Sequence, residues 1–127
     1  MPLRVRFSET DAMGVANNGA YLAWLEIGRI EYLRELGRDY REVHDGGLDL
    51  VVAEAAIRYL RPLRFDDRFE VVCWCRELRR ASFTFAYELR SADVVYAAAT
   101  TRHACVDRAR MRPIAIPDWL AEVVRPA

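Results

Sequence analysis

One segment concentrates the residue types that can do chemistry: Ser8-Glu9-Thr10-Asp11-Ala12-Met13-Gly14-Val15-Ala16-Asn17-Asn18-Gly19-Ala20-Tyr21. It sets a carboxylate, Asp11, in a loop just ahead of a stretch that reads as a helix. The first turn of a helix leaves backbone N–H groups unpaired and carries partial positive charge. Such groups can hold the oxyanion that forms when an acyl carbonyl is attacked. The same positive end attracts an anionic carboxylate acting as nucleophile or general base. Asp, Gly and Asn are also ordinary turn formers, so spacing alone leaves a purely structural loop open. The chain offers no GxSxG elbow for a serine nucleophile.

Other reactive groups form no comparable cluster. Cys73, Cys75 and Cys105 are three thiols, an odd number in a chain whose opening, MPLRVRFSETD, lacks an apolar leader. They point to reduced thiols in a cytoplasmic protein. Cys73 and Cys75 stand two apart in an apparent strand, which is not metal-knuckle spacing. His44 and His103 complete no zinc pattern, so no metal is expected. His103 reads as structural, and His44 as part of a loop, Val43 to Gly47. No apolar run reaches the roughly 20 residues of a membrane span. Acidic and basic residues balance at 19 each, which argues against a nucleic-acid binder. Every basic residue is Arg. Genomic composition explains that as well as phosphate recognition does.

The elements that must position Asp11 follow from periodicity. Residues 3 to 8 alternate apolar and charged, as a half-buried strand does. Residues 20 to 37 form the longest helical candidate, with Asn17 or Asn18 as cap and Gly37 as stop. Its first half, Ala20 to Ile27, has almost no polar face, which predicts a helix buried nearly all round. Residues 50 to 61, 68 to 78, 81 to 90 and 94 to 107 read as strands. Arg79-Arg80 and Ser91-Ala92-Asp93 look like hairpin connections, so the sheet is antiparallel. Pro117 to Leu120 reads as a short closing helix or coil. No linker or repeat divides the 127 residues. The expectation is one α+β domain over 1–127, a curved antiparallel sheet of about five strands wrapped around one long central helix.

The chain resembles the 4-hydroxybenzoyl-CoA thioesterase-like family of hot-dog proteins. Arg6 to Gly14 with Asn17, Asn18 and Tyr21 is similar to that family's opening signature. Glu26 and Arg29 match its helix pattern. Ala56 to Pro62, Phe65-Asp66-Asp67, Ala99 to His103 and Asp107 are similar to its strand regions. The resemblance implies hydrolysis of an acyl-CoA or acyl-carrier-protein thioester, without cofactor. It implies Asp11 as catalytic carboxylate and the Asn18 N–H as oxyanion donor, with Gly19 beside it. It further implies a homodimer, in some members a tetramer, with active sites between subunits. Two positions depart from the pattern: Val15 where many relatives carry His, and Asn18 where others carry His or Tyr. Val15 cannot transfer a proton.

Candidates for substrate contact are Asn17, Met13, Tyr21 and Ser82. Each has a structural alternative: Asn17 as a cap, Tyr21 as a core aromatic, Ser82 as turn chemistry. Pocket depth depends on Met13, Tyr21, Trp24, Phe83 and Phe85. Arg58, Arg61, Arg64, Arg79 and Arg80 are candidates for CoA phosphates, and Glu26 can pair with Arg29 on one helix face. Two other functions fit the same fold. A hot-dog hydratase or dehydratase would need a His that position 15 lacks, and a non-catalytic acyl-CoA-binding module would not need Asp11.

Overall fold

A computed structural model describes residues 1–126. The elements run β1 (Pro2–Arg4), a 3₁₀ turn (Phe7–Glu9), α1 (Asn18–Glu35), α2 (Tyr40–Asp45), β2 (Leu48–Tyr59), β3 (Arg68–Leu78), β4 (Ser82–Ser91), β5 (Val94–Asp107), β6 (Arg112–Ile114) and α3 (Asp118–Ala121). All strand pairs are antiparallel, in the order β1-β3-β4-β5-β2, with β6 added to β5. Bulges interrupt the ladders at Val52/Glu54, Cys75/Glu77 and Leu89/Arg90, and each bends its strand. One sheet face packs on α1, the hot-dog arrangement that the resemblance implies.

The four long strands lie close to their expected bounds because alternation marks them. On β4 and β5 the inward residues are Phe83, Phe85, Tyr87 and Leu89, and Ala97, Ala99, Thr101, His103 and Cys105. They meet Tyr21, Trp24, Leu25 and Leu33 of α1 in one core. Asn17 caps α1 by accepting the Ala20 N–H at 2.9 Å. Gly37, at φ +86°, stops the helix in the left-handed region as expected.

Four expectations are corrected. The first strand ends at Arg4, because Val5 is held by Asp66 and Asp67 and the chain then tightens into the 3₁₀ turn. His44 lies in a helix, α2, capped by the Asp39 side chain at the Arg41 N–H, and not in a loop. The sheet has a sixth strand, β6. Finally, α1 is not enclosed all round. It sits on β3 and β4, and Leu22, Ala23, Glu26 and Ile27 remain exposed, Leu22 at 51%. Among the described residues the far edge of β2 is unpaired.

Helix and sheet approach closely at Gly28. A Cβ there would lie 2.5 Å from Cγ1 of buried Val71, and a β-branched side chain has few other rotamers to take. Gly28→Ala is therefore expected to destabilise the fold, by up to about 2 kcal/mol. Overpacking of about 1–3 kcal/mol outweighs a helix-propensity gain of about 1 kcal/mol. Urea unfolding checks this, and an unchanged or raised midpoint would contradict the close approach.

Candidate active site

Asp11 lies at the tip of a loop that its own bonds shape. Its N–H donates to the Val15 carbonyl and its carbonyl accepts from the Gly14 N–H, both at 2.9 Å. Gly14 sits at φ +78°, a conformation that favours glycine. The carboxylate Oδ1 accepts the Met13 N–H at 2.9 Å and the Val15 N–H at 3.4 Å. Oδ2 accepts no hydrogen bond among the described residues. One carboxylate oxygen is thus spent on posture and the other stays available for chemistry.

The loop is tied to the sheet and to the helix. Ala16 N–H donates to the Leu63 carbonyl at 2.7 Å, and Thr10 bridges Ala16. Asn17 N–H donates to the Glu9 carbonyl at 2.8 Å. The Asn17 cap occupies the Ala20 N–H, while Asn18 and Gly19, the first helical positions, have no acceptor within the helix.

An open pocket of about 320 Å³ joins these groups. Asp11, Val15 and Ala16 line it from the loop, and Asn18 and Tyr21 from α1. Tyr59, Leu60, Arg61 and Pro62 line it from the end of β2. Tyr21 is a core aromatic that also lines the pocket. Its ring packs against Trp24 and Tyr59 at centroid distances of 5.1 and 4.9 Å, and part of it faces the pocket. Burial pushes its hydroxyl pKa up, against an opposing bond at the Leu63 backbone, so it stays neutral near pH 7. Larger hollows of about 670 and 560 Å³ lie at the β1–β3 margin and on the outer sheet face. Neither brings a carboxylate to a helix N-terminus, as the smaller pocket does.

The other candidates separate. Met13 is 81% exposed and stands outside the pocket lining. Asn17 is spent as the cap, and Gly19 lies in the first turn beside Asn18. Arg61 lines the pocket. Arg58 does not: it pairs in register with Ala98, on the face opposite Tyr59. Ser82, Arg79 and Arg80 lie at the other end of the sheet, about 30 Å along β4. There Arg79 pairs with Glu77. Arg64 pairs through its backbone with Val15 and with Asp67. The Glu26–Arg29 pair is absent; the Arg29 charge instead acts on Tyr87 and His103. His44 bonds Arg108 and stands 3.4 Å from Asp49.

Glu9 was missed. It stands inside the opening motif without an assigned role, yet it is only 8% exposed. Its carboxylate accepts the Arg6 N–H at 2.7 Å, Arg6 Nη2 at 3.2 Å and the Trp24 indole Nε1 at 3.0 Å. Burial pushes its pKa up, but these donors prevail and hold it below the usual carboxylate value. The available signal was its spacing from Arg6, three residues away at the start of a tight turn.

Thiols and histidines stay out of the pocket. Cys73, Cys75 and Cys105 are free, and burial pushes the Cys73 thiol up to about 12, so it holds its proton. Among the described residues no group of His, Cys, Asp or Glu could hold a metal ion. No described helix is long and apolar enough to cross a membrane. His103 is buried, stacked on Phe83 and bonded at 2.8 Å to Thr101, which in turn bonds Tyr87. Burial, helped by the Arg29 charge, lowers its pKa from 6.5 to about 4. Between those values the unfolded chain binds a proton that the folded chain refuses. Stability is thus full above pH 6.5 and falls as pH drops toward 4, by up to about 3 kcal/mol. Urea midpoints against pH test this: His103→Gln is expected to flatten that part of the slope, and parallel curves would refute it.

Known proteins resemble the chain over nearly its whole length. The chain is 34% identical over 117 residues to the acyl-CoA thioesterase YbgC of Haemophilus influenzae, covering 91% of this chain and 86% of that one. The crystal structure of a hypothetical protein from Aquifex aeolicus superposes with TM-score 0.93 at 37% identity, covering 98% of each chain. A DHNA-CoA thioesterase from Staphylococcus aureus superposes with TM-score 0.88 at 25% identity, covering 94% of this chain and 83% of that one. The family model of the thioesterase-like superfamily matches residues 5–124, and the chain belongs to that superfamily.

Proposed function

We propose that this thioester hydrolase cleaves an acyl-CoA, with Asp11 as its catalytic carboxylate. The observation that carries the proposal is the free Oδ2 of Asp11 sharing one pocket with Asn18, the first residue of α1. The thioester carbonyl sits between them. Water attacks the carbonyl carbon while Asp11 takes its proton, and the N–H groups of Asn18 and Gly19 receive the oxyanion. Collapse breaks the C–S bond; the leaving thiolate takes the proton from Asp11, and the acid departs. A direct attack by Oδ2 would pass through an anhydride. A single turnover in ¹⁸O-water identifies the anhydride route when water opens it at the Asp11 carbonyl, which puts label into the protein; direct attack of water on the thioester labels only the released acid.

Arg61 lines the pocket, which supports a contact between its guanidinium and a CoA phosphate. No His lines the pocket and Val15 does, which disfavours hydration or dehydration. The β2 edge, unpaired among the described residues, with exposed Val51, Val52, Tyr59 and Leu60, and the exposed Leu22 and Ile27 of α1 support a homodimer whose second copy completes the pocket wall. The free thiols support a reducing compartment, the cytoplasm.

The test is release of free thiol from a panel of aromatic, short-, medium- and long-chain acyl-CoAs, with one acyl-carrier protein alongside. Turnover of at least one CoA thioester is expected. Turnover of the carrier-protein substrate alone would move the substrate class. Tight binding without turnover across the panel would favour the non-catalytic module.

A further inference from the structure

The thioesterase reading leaves unexplained why a carboxylate is buried two residues before Asp11. We propose that Glu9 is a positioning residue, a latch that holds the Asp11 loop and the N-terminus of α1 as one rigid unit. The inference rests on the hydrolytic reading and adds a residue that touches no substrate.

Burying a carboxylate is unfavourable unless donors surround it. Glu9 has donors from both sides of the loop. Its carboxylate takes the Arg6 N–H and guanidinium ahead of the loop, and the Trp24 indole N–H from the second turn of α1. Its carbonyl takes the N–H of Asn17, the cap of α1. One residue therefore grips the chain before the loop, the helix cap and the helix body. Trp24 is itself fixed, 2% exposed and packed on Phe69 and Tyr21, so the latch closes on an immobile partner. Asp11 follows within about 7 Å of extended chain. A simple packing role would be served by an apolar side chain. Three hydrogen bonds converging on one buried carboxylate set position instead. An attacking group and its oxyanion donors must keep their mutual geometry closely, since a displacement of about 1 Å can cost about 100-fold in rate.

The experiment uses the full chain and the acyl-CoA that the unaltered protein hydrolyses fastest. Glu9→Gln keeps the shape but turns an NH₂ toward either the Trp24 or the Arg6 donor. The expected result is a kcat lower by about 10–100-fold with KM within about twofold. Trp24→Phe removes the indole donor and keeps an aromatic ring in the core; it should lower kcat in the same way. The double variant should lose little beyond Glu9→Gln alone, because both act through one bond. A folded Glu9→Gln protein with unchanged kcat overturns the latch. Should Glu9→Gln fail to fold, Trp24→Phe decides: unchanged kcat overturns the proposal, and a reduced kcat at constant KM supports it. If the unaltered protein hydrolyses no thioester in the panel, the hydrolytic reading fails first and takes the latch with it.

Discussion

Asp11→Asn is expected to lower kcat by about 10²–10⁴-fold while the protein stays folded. That corresponds to about 3–5 kcal/mol of lost transition-state stabilisation. Asparagine keeps an oxygen where Oδ1 accepts the Met13 and Val15 N–H groups, so the loop can hold its turn. What disappears is the negative charge and the proton-accepting oxygen, which both routes require. KM should move little, because the pocket walls from Tyr21, Tyr59, Leu60 and Arg61 are untouched. Free-thiol kinetics and a thermal melt on the same preparation check both halves. Full activity in a folded Asp11→Asn protein would remove Asp11 from the mechanism and leave the pocket without a base.

Truncating Trp24 to Ala should produce the largest loss of stability, about 3–5 kcal/mol. The indole is buried, packs on Tyr21 and Phe69, and donates to Glu9. Its removal leaves a cavity between α1 and β3 and strips a donor from a buried carboxylate. For a domain of this length the melting temperature should fall by roughly 10–20 °C. Domains of this kind are stable by only about 5–15 kcal/mol, so partial unfolding at growth temperature is a foreseeable result. A urea midpoint within error of the unaltered protein would show that the core does not centre on this side chain.

Local rules made much of the fold readable. Alternation in Phe83 to Leu89 and in Val94 to Asp107 located the strands, because one face of the sheet is buried along its length. Asn17 and Gly37 delimited the helix, because capping and a left-handed stop act within a few residues. The capping signal at Asp39, with Glu42 three residues on, was equally available, but the short α2 it starts was read as a loop. The strand expected over residues 3 to 8 ends early because the Glu9 carboxylate and the backbone of Asp66 and Asp67 claim that segment; the first contact spans three residues, and only the second lacks a local signature.

Asp11 ahead of a helix start was legible because loop and helix are contiguous in the chain. The fate of the arginines was not. Arg58 and Arg61 are three apart, yet one stands on the outer sheet face and the other lines the pocket, because strand parity and the end of β2 separate them. Ser82, Arg79 and Arg80 were sent to the far end by the antiparallel register of β3 and β4. The apolar first half of α1 predicts a helix buried nearly all round, but the packed chain shows that the sheet covers one side and leaves Leu22 and Ile27 open. The sequence by itself determined the elements, their caps and the carboxylate before the helix, since these depend on neighbours along the chain. The tertiary structure decided which side chains share the pocket, which carboxylate is buried behind it and which helix face is left open. Those depend on register, parity and long-range hydrogen bonds between residues far apart in sequence.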